Sequence, residues 1–328
     1  MTFSSTVHTL LATTGASPQV ITETLYAIHH ENQPWPDDIY LITTSFGKSK
    51  AVQGLLEEGQ LQRLCDEIQR PMPAFGAQHI LVSPGADGTE VEDARSLADH
   101  EALANFIMAT VRDFTTDDSR TLQASLAGGR KTMTFYIGYA MSLFGRVQDT
   151  LSHVLISDGY EGLPDFWFPT AAPEHRHLNT RDGKKLDASK AQVTLAPIPF
   201  VRHRTALPAI LLQSNKTLDF AQLVRLINWG EKPQEIFLHL DLLDGHIAVF
   251  DTQNQRMAEI RLGELELAFY AMVVRASQKG RASIARPPKK TEDAFLSDCI
   301  LEEMQAIYNL KIKDGLQEGT PERRQALL

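Results

Sequence analysis

Short apolar runs alternate with longer amphipathic stretches through the first half of the chain, a rhythm that predicts strands separated by helices. Residues 7–12 read as a buried strand and 19–30 as a helix, with Val20, Ile21, Leu25 and Ile28 on its apolar face. Ser17 stands where an N-cap is expected, and Pro18 fits a helix's first turn, where its missing N–H costs nothing. A second strand at 39–42 leads into a helix through Leu55, Leu56, Leu61 and Leu64. A third at 80–82 precedes a helix over about 93–114, a fourth at 122–126 precedes a helix over 132–144, and 151–156 is a fifth.

This order implies βαβ units and a mainly parallel, doubly wound, Rossmann-like α/β sheet. In such sheets ligands bind beyond the carboxyl ends of the strands, near the reversal of strand order. Three polar loops fall at those ends: 13–17, 43–48 and 128–131. The last is the most informative. Gly128 and Gly129 let the backbone turn sharply and approach a ligand closely. Arg130 and Lys131 then stand at the start of a helix, whose free N–H groups and positive dipole end attract an anion. The G-x-x-x-x-G-K-[ST] spacing of a P-loop and the G-x-G-x-x-G of a dinucleotide fold are both absent, so the expectation is a phosphate site of another kind. Thr13, Thr14, Gly15 and Ser17 bring hydroxyls and a glycine to the same edge.

Past residue 156 the rhythm changes. Residues 166–169 and 193–197 read as a hairpin flanking a polar, mobile excursion over 174–190, and Pro197, Pro199 and Pro208 mark an exit from the first domain. Two domains are therefore expected, 1–205 and 206–328. The second begins with a helix at about 218–228. Strands at 236–240 and 246–250 follow around Asp244-Gly245, a favoured hairpin turn. A third strand at 258–262 leads into a helix through Leu265, Leu267, Phe269, Met272 and Val273. Small strands followed by a helix make this a smaller α+β domain that resembles the lead-in of a winged helix. The basic, proline-containing stretch 280–290 reads as a link rather than a recognition helix, and the polar tail after Leu310 as a frayed end.

Composition narrows the chemistry. The 328 residues are 43% hydrophobic and 22% charged, as in globular proteins, and hold no apolar run long enough to span a membrane. The first residues lack a basic segment, so no secretory leader is expected. Two cysteines far apart, Cys65 and Cys299, suit a reducing cytoplasm. A net charge of −9 disfavours coating of nucleic acid through bulk electrostatics, yet suits a small anion held by a few local cations. Arg95 and His100 have the R-x-x-x-x-H spacing of RNA-cutting HEPN domains. They fall inside the third helix of the sheet domain, however, and no second copy follows residue 200. His175 and His177 lack partners at zinc spacing, so no metal or cofactor is expected. No G-x-S-x-G elbow is present.

Residues 12–26, the pair Asp93-x-Arg95, and 125–133 together resemble the CRISPR-associated Rossmann-fold (CARF) proteins, and within them the ring nucleases of the Csm-six type. The similarity covers roughly residues 5–200. It implies a homodimer whose CARF domains meet over a cyclic oligoadenylate, with cyclic tetra-adenylate the expected ring. By the same resemblance, Thr13, Thr14, Gly15, Ala16, Ser17 and Gln19 would line the ligand from the first loop, and Thr44 and Ser45 from the second. Gly128, Gly129, Arg130, Lys131 and Thr132 would grip a phosphate, and Arg95 would assist or only tie down its loop. Lys131 or Arg130 would stabilise charge on the reacting phosphate while Thr14 or Ser17 orients a ribose 2′-OH, a metal-independent cleavage resting on positioning. The missing second R-x-x-x-x-H sets the chain apart from the larger RNA-cutting relatives. Two other readings remain open: a non-catalytic sensor whose C-terminal domain binds DNA or a protein, and a ligand-activated nuclease with an unrecognised C-terminal site.

Overall fold

The computed structural model describes residues 6–85, 87–92, 96–180, 182–207, 212, 219–229, 237–280 and 294–315. The alternation of the first half becomes β1 (Val7–Thr13), α1 (Gln19–His30), β2 (Asp38–Thr43), α2 (Ser45–Ala51), α3 (Gln60–Glu67), β3 (Ile80–Val82), α4 (Leu97–Thr116), β4 (Arg120–Ser125), α5 (Lys131–Phe144) and β5 (Thr150–Ile156). After β5 come a short α6 (Pro173–Arg176), β6 (His177–Asn179), β7 (Lys185–Asp187) and β8 (Val193–Pro197). The main sheet has the order β3-β2-β1-β4-β5-β8. Its first five strands are parallel, and β8 runs antiparallel to β5. The chain leaves β1 to one side for β2 and β3 and returns to the other for β4, so the order reverses between β1 and β4.

Helices cover both faces. α4 packs against α5, while α1 packs against α3 and over β5 and β8. Because both faces are covered, β1 and β2 are buried almost throughout: Leu10, Leu11, Ile39, Leu41 and Ile42 have no exposed surface. A buried ion pair closes the sheet's far end, where the Arg146 guanidinium meets the fully buried Asp149 at 2.9 Å and also donates to the Asp117 and Arg120 carbonyls.

Three local expectations are corrected. The helix expected through residues 55–64 is broken into α2, a π-helical turn at Val52–Glu57, and α3. Gly59, at φ 69°, separates the last two pieces, and Gly54 makes room for the Trp167 indole, which a Cβ there would meet at 2.3 Å. Residues 166–169 form no strand. Phe166, Trp167 and Phe168 bury themselves in the core against α1 and α3, and β8 pairs with β5 instead. The expected mobile excursion holds a β6–β7 hairpin, with Arg176 bonded to Asp187 through two hydrogen bonds of 3.0 and 2.8 Å.

The chain forms two compact units, 1–221 and 222–328. Arg202 and Arg204 hold the segment after β8 onto the first unit by donating to the carbonyls of Arg146, Asp149, Phe144 and Thr115. Helix α7 (Phe220–Trp229) crosses the division. In the second unit β9 (Phe237–Asp241), β10 (His246–Phe250) and β11 (Arg256–Arg261) form an antiparallel meander, followed by α8 (Glu264–Gln278) and α9 (Ala294–Gly315). Leu240, Leu242 and Ile247 meet Leu267, Ala271 and Ile307 in its core. Helix α9, which spans Leu310, was not anticipated from the sequence pattern. The basic stretch 281–290 and the polar tail from 316 lie outside the described residues.

Candidate functional site

The carboxyl ends of β2, β1 and β4 lie side by side, and their loops are stitched together by backbone and hydroxyl groups. Thr13 Oγ1 donates to the Gly128 carbonyl at 2.5 Å, and Thr43 Oγ1 donates to the Thr14 carbonyl at 2.7 Å. Thr14 Oγ1 donates to the Ser17 carbonyl at 3.2 Å, closing the first loop on itself. Thr13, Thr14 and Thr43 have no exposed surface, so these hydroxyls replace hydrogen bonds that water would otherwise make.

The glycines explain how the loops come so close. A Cβ on Gly128 would lie 2.6 Å from the Thr13 carbonyl oxygen and 2.9 Å from Val20 Cγ2. Gly129 has φ 85°, in the region that disfavours residues with a Cβ. Together they seat the β4–α5 turn directly on the β1–α1 loop and point α5's first turn outward. Gly129, Arg130 and Lys131 are exposed. Arg130 is the N-cap residue of α5 in extended conformation, without a side-chain cap.

Charge at this edge is unusual. Acidic residues in a helix's first turn are favourable by roughly 0.3–1 kcal/mol and cations there unfavourable, because of the dipole. α4 follows that rule: Ser96 and Asp99 form a reciprocal capping box. α1 and α5 have no acidic residue in their first turns, and α5 instead begins with Lys131 immediately after Arg130. A folded chain tolerates such an arrangement readily when an anion completes it. Thr132 Oγ1, in the same turn, is buried without a hydrogen-bond partner.

Beside this edge runs a cleft of about 410 Å³, lined by Ala16 and Ser17 of the first loop, Gln19, Val20 and Glu23 of α1, and Ala127 before the glycine pair. β5 contributes His153 to Ile156, and residues 161–164 close the far side. Gln19 Nε2 donates to the Pro164 carbonyl at 2.8 Å, while its Oε1 is buried without a partner. Glu23 is 4% exposed. Burial, aided by the negative charge of Glu161, pushes its carboxyl up to about 8. Glu23 therefore carries its proton at neutral pH.

Most of the residues expected at the site are brought to one edge. Thr13, Thr14, Gly15, Ala16 and Ser17 meet Gly128, Gly129, Arg130, Lys131 and Thr132 across the β1–β4 junction, with a Cβ on Gly15 only 3.8 Å from Gly129 Cα. Thr44 and Ser45 begin the neighbouring α2, where Thr44 Oγ1 accepts from Gly47 N at 3.3 Å and Ser45 N donates to the Val91 carbonyl. Ser17 does not cap α1: Pro18 holds that position without a side-chain bond, and Ser17 is left exposed. Arg95, with Asp93, lies outside the described residues. His100 is in α4, where its N–H donates to the Ser96 carbonyl. Among the described residues no cluster of three or more His, Cys, Asp or Glu could hold a metal ion, and no helix is long and apolar enough to cross a membrane. Glu23 was missed. Its only mark in the sequence is a carboxylate at the fourth position after Gln19, on the same face of α1.

The model of a protein family described as CRISPR-associated protein NE0113 matches residues 17–229. Among solved structures, Csm6 of Enterococcus italicus bound to cyclic hexa-2′-fluoro-hexa-dAMP is similar at 11% identity and a TM-score of 0.33, over 96% of this chain and 82% of that one. No curated protein matches the chain.

Proposed function

The chain belongs to the CRISPR-associated protein NE0113 family, and on that premise we propose that it is a CARF protein that binds cyclic oligoadenylate at the β1–β4 edge and cleaves it as a ring nuclease. The observation that carries this reading is the outward-facing first turn of α5, which bears Arg130 and Lys131, lacks any acidic residue and is seated on the β1–α1 loop by Gly128. A phosphodiester is the anion that such an edge fits, because Arg130 and Lys131 lie exposed at the positive end of the α5 dipole. The rim is open rather than enclosed, which suits a ring shared between two copies of the chain.

The chemistry follows from the geometry of RNA. A ribose 2′-oxygen attacks the adjacent phosphorus, and the bond from phosphorus to the 5′-oxygen of the next residue breaks. The 2′-hydroxyl proton passes to solvent and the departing 5′-oxygen takes one up, leaving a linear product with a 2′,3′-cyclic phosphate and a 5′-hydroxyl. Lys131 and Arg130 stabilise the charge that builds on the non-bridging oxygens, a role worth several kcal/mol where water is excluded. Ser17, which is exposed, orients the 2′-hydroxyl in this reading, while Thr14, with its proton donated to the Ser17 carbonyl, holds the loop's shape. Turnover then rests on alignment, and is slow.

Labelled cyclic tetra- and hexa-adenylate, incubated with purified protein in EDTA, test the reading. Linear products ending in a 2′,3′-cyclic phosphate are expected, with cyclic tetra-adenylate the better substrate. Lys131→Ala is expected to slow cleavage by about 100-fold or more with folding preserved, the loss typical of one oxyanion-stabilising group. Rings left intact by excess protein would refute the nuclease. Binding without cleavage would favour the sensor reading, for which the second unit offers an exposed apolar row on α8, Leu265, Phe269 and Val273.

A further inference from the structure

Apart from Ser17 at its border, the cleft beside the anion edge is unused by the cleavage chemistry. Glu23 lines it at 4% exposure, and no hydrogen bond to its carboxyl is formed among the described residues. One turn earlier on the same face of α1, Gln19 offers a buried Oε1 that also lacks a partner. An unpaired buried polar atom is costly, so Gln19 Oε1, one turn from an acid that opens into the same cleft, calls for a complement. Val20, Leu155, Ile156 and Leu163 supply the apolar part of the wall. The volume, about 410 Å³, lies within the roughly 300–1,000 Å³ of small-molecule sites. Ala16, Ser17 and Ala127, which border the cleft, belong to the same two loops that form the anion edge.

We propose that this cleft is the base subsite of the candidate site, in which the Glu23 carboxyl pairs with the amino group and adjacent ring nitrogen of an adenine. The inference rests on the cyclic oligoadenylate reading and adds to it the residue that reads the base. The chemistry is one of matched donors and acceptors. An ionised carboxylate only accepts, and so fits the two adjacent N–H donors of guanine. A neutral carboxyl presents one acceptor beside one donor, and so fits adenine, whose amino group donates and whose neighbouring ring nitrogen accepts. Burial keeps Glu23 in the neutral form up to a pH of about 8. Gln19 Oε1 is a further acceptor for an amino hydrogen. The other titratable groups that face the cleft are His153 from β5 and Glu161 from the loop after it; Glu161 acts on Glu23 by raising it.

Calorimetric titration of the full chain with cyclic tetra-adenylate and cyclic hexa-adenylate between pH 7 and 9.5 tests this. For the wild type, affinity is expected to fall above pH 8, approaching tenfold per base subsite for each further unit, because ligand binds only the protonated acid. Glu23→Gln, whose amide also sets an acceptor beside a donor, should bind near neutrality within a few-fold of wild type and lose the alkaline fall. Glu23→Leu should bind at least tenfold more weakly at pH 7. His153→Gln should keep the fall. Wild-type binding with a flat pH profile, a fall that follows His153, or a Leu variant as tight as Gln would overturn the base-reading role while leaving the cyclic oligoadenylate reading intact. Failure of the wild type to bind either ring at pH 7 would overturn that reading itself, and the subsite with it.

Discussion

At the residue scale, Glu23 has a consequence for stability independent of any ligand. Its carboxyl titrates at about 8 in the folded chain against about 4.5 when free of the fold. Between those values the folded state holds a proton that the unfolded state has released, so this residue makes stability fall as pH rises from 4.5 to 8. Glu23→Gln removes the dependence. The variant is expected to be more stable than wild type at pH 7 by on the order of 2–3 kcal/mol, and to gain little at pH 4.5. Urea denaturation at the two pH values measures the difference; an equal effect at both would mean that Glu23 is not held neutral by burial.

At the scale of elements, the β4–α5 turn lies at the candidate site because two glycines let it rest against Thr13 at the end of β1. Gly128→Ala would drive a Cβ to 2.6 Å from the Thr13 carbonyl oxygen, a backbone atom that cannot rotate aside. Overpacking of this kind costs typically 1–3 kcal/mol, and relief requires the turn to lift away from the first loop. Affinity for cyclic tetra-adenylate should therefore drop together with the urea midpoint, whereas Lys131→Ala should lower cleavage with the midpoint unchanged. A Gly128→Ala protein that binds and cleaves like wild type would show that close seating is unnecessary. Much of this was legible beforehand. Paired glycines followed by Arg130 and Lys131 are a local signal, as are the bounds of α1, which depend on its own periodicity. The break of the 55–64 helix was not legible, because its partner is Trp167, more than a hundred residues away. Nor was the role of 166–168: three aromatic-rich positions fit a strand equally well until the core formed by α1 and α3 claims them.

At the scale of the whole molecule, the proposed ligand edge belongs to the first of the two compact units, 1–221. Under the proposed function, a ligand at the β1–β4 edge should stabilise the unit that contains it by about 2.7 kcal/mol at 100 times the dissociation constant. Differential scanning calorimetry of the full chain with cyclic tetra-adenylate should therefore move the transition of unit 1–221 upward and leave that of 222–328 in place. A shift of the second transition alone would put the ligand elsewhere. A shift of both together would show the units to be energetically coupled.

The sequence by itself determined the α/β class, the succession of five strands with helices between them, and the polar loops after β1 and β4. Each of these follows from local periodicity and from residues that permit or forbid a backbone turn. The third expected loop, 43–48, is mostly the start of α2 at Ser45. Only the tertiary structure decided which loops touch, that β8 closes the sheet antiparallel to β5, and that Ser17 is left exposed instead of capping α1. It also turned Glu23 from an ordinary helix carboxylate into a neutral acid lining a cleft. The physical reason is desolvation: a side chain's protonation state and its partners depend on what packs around it, and those neighbours come from strands and loops distant in the chain.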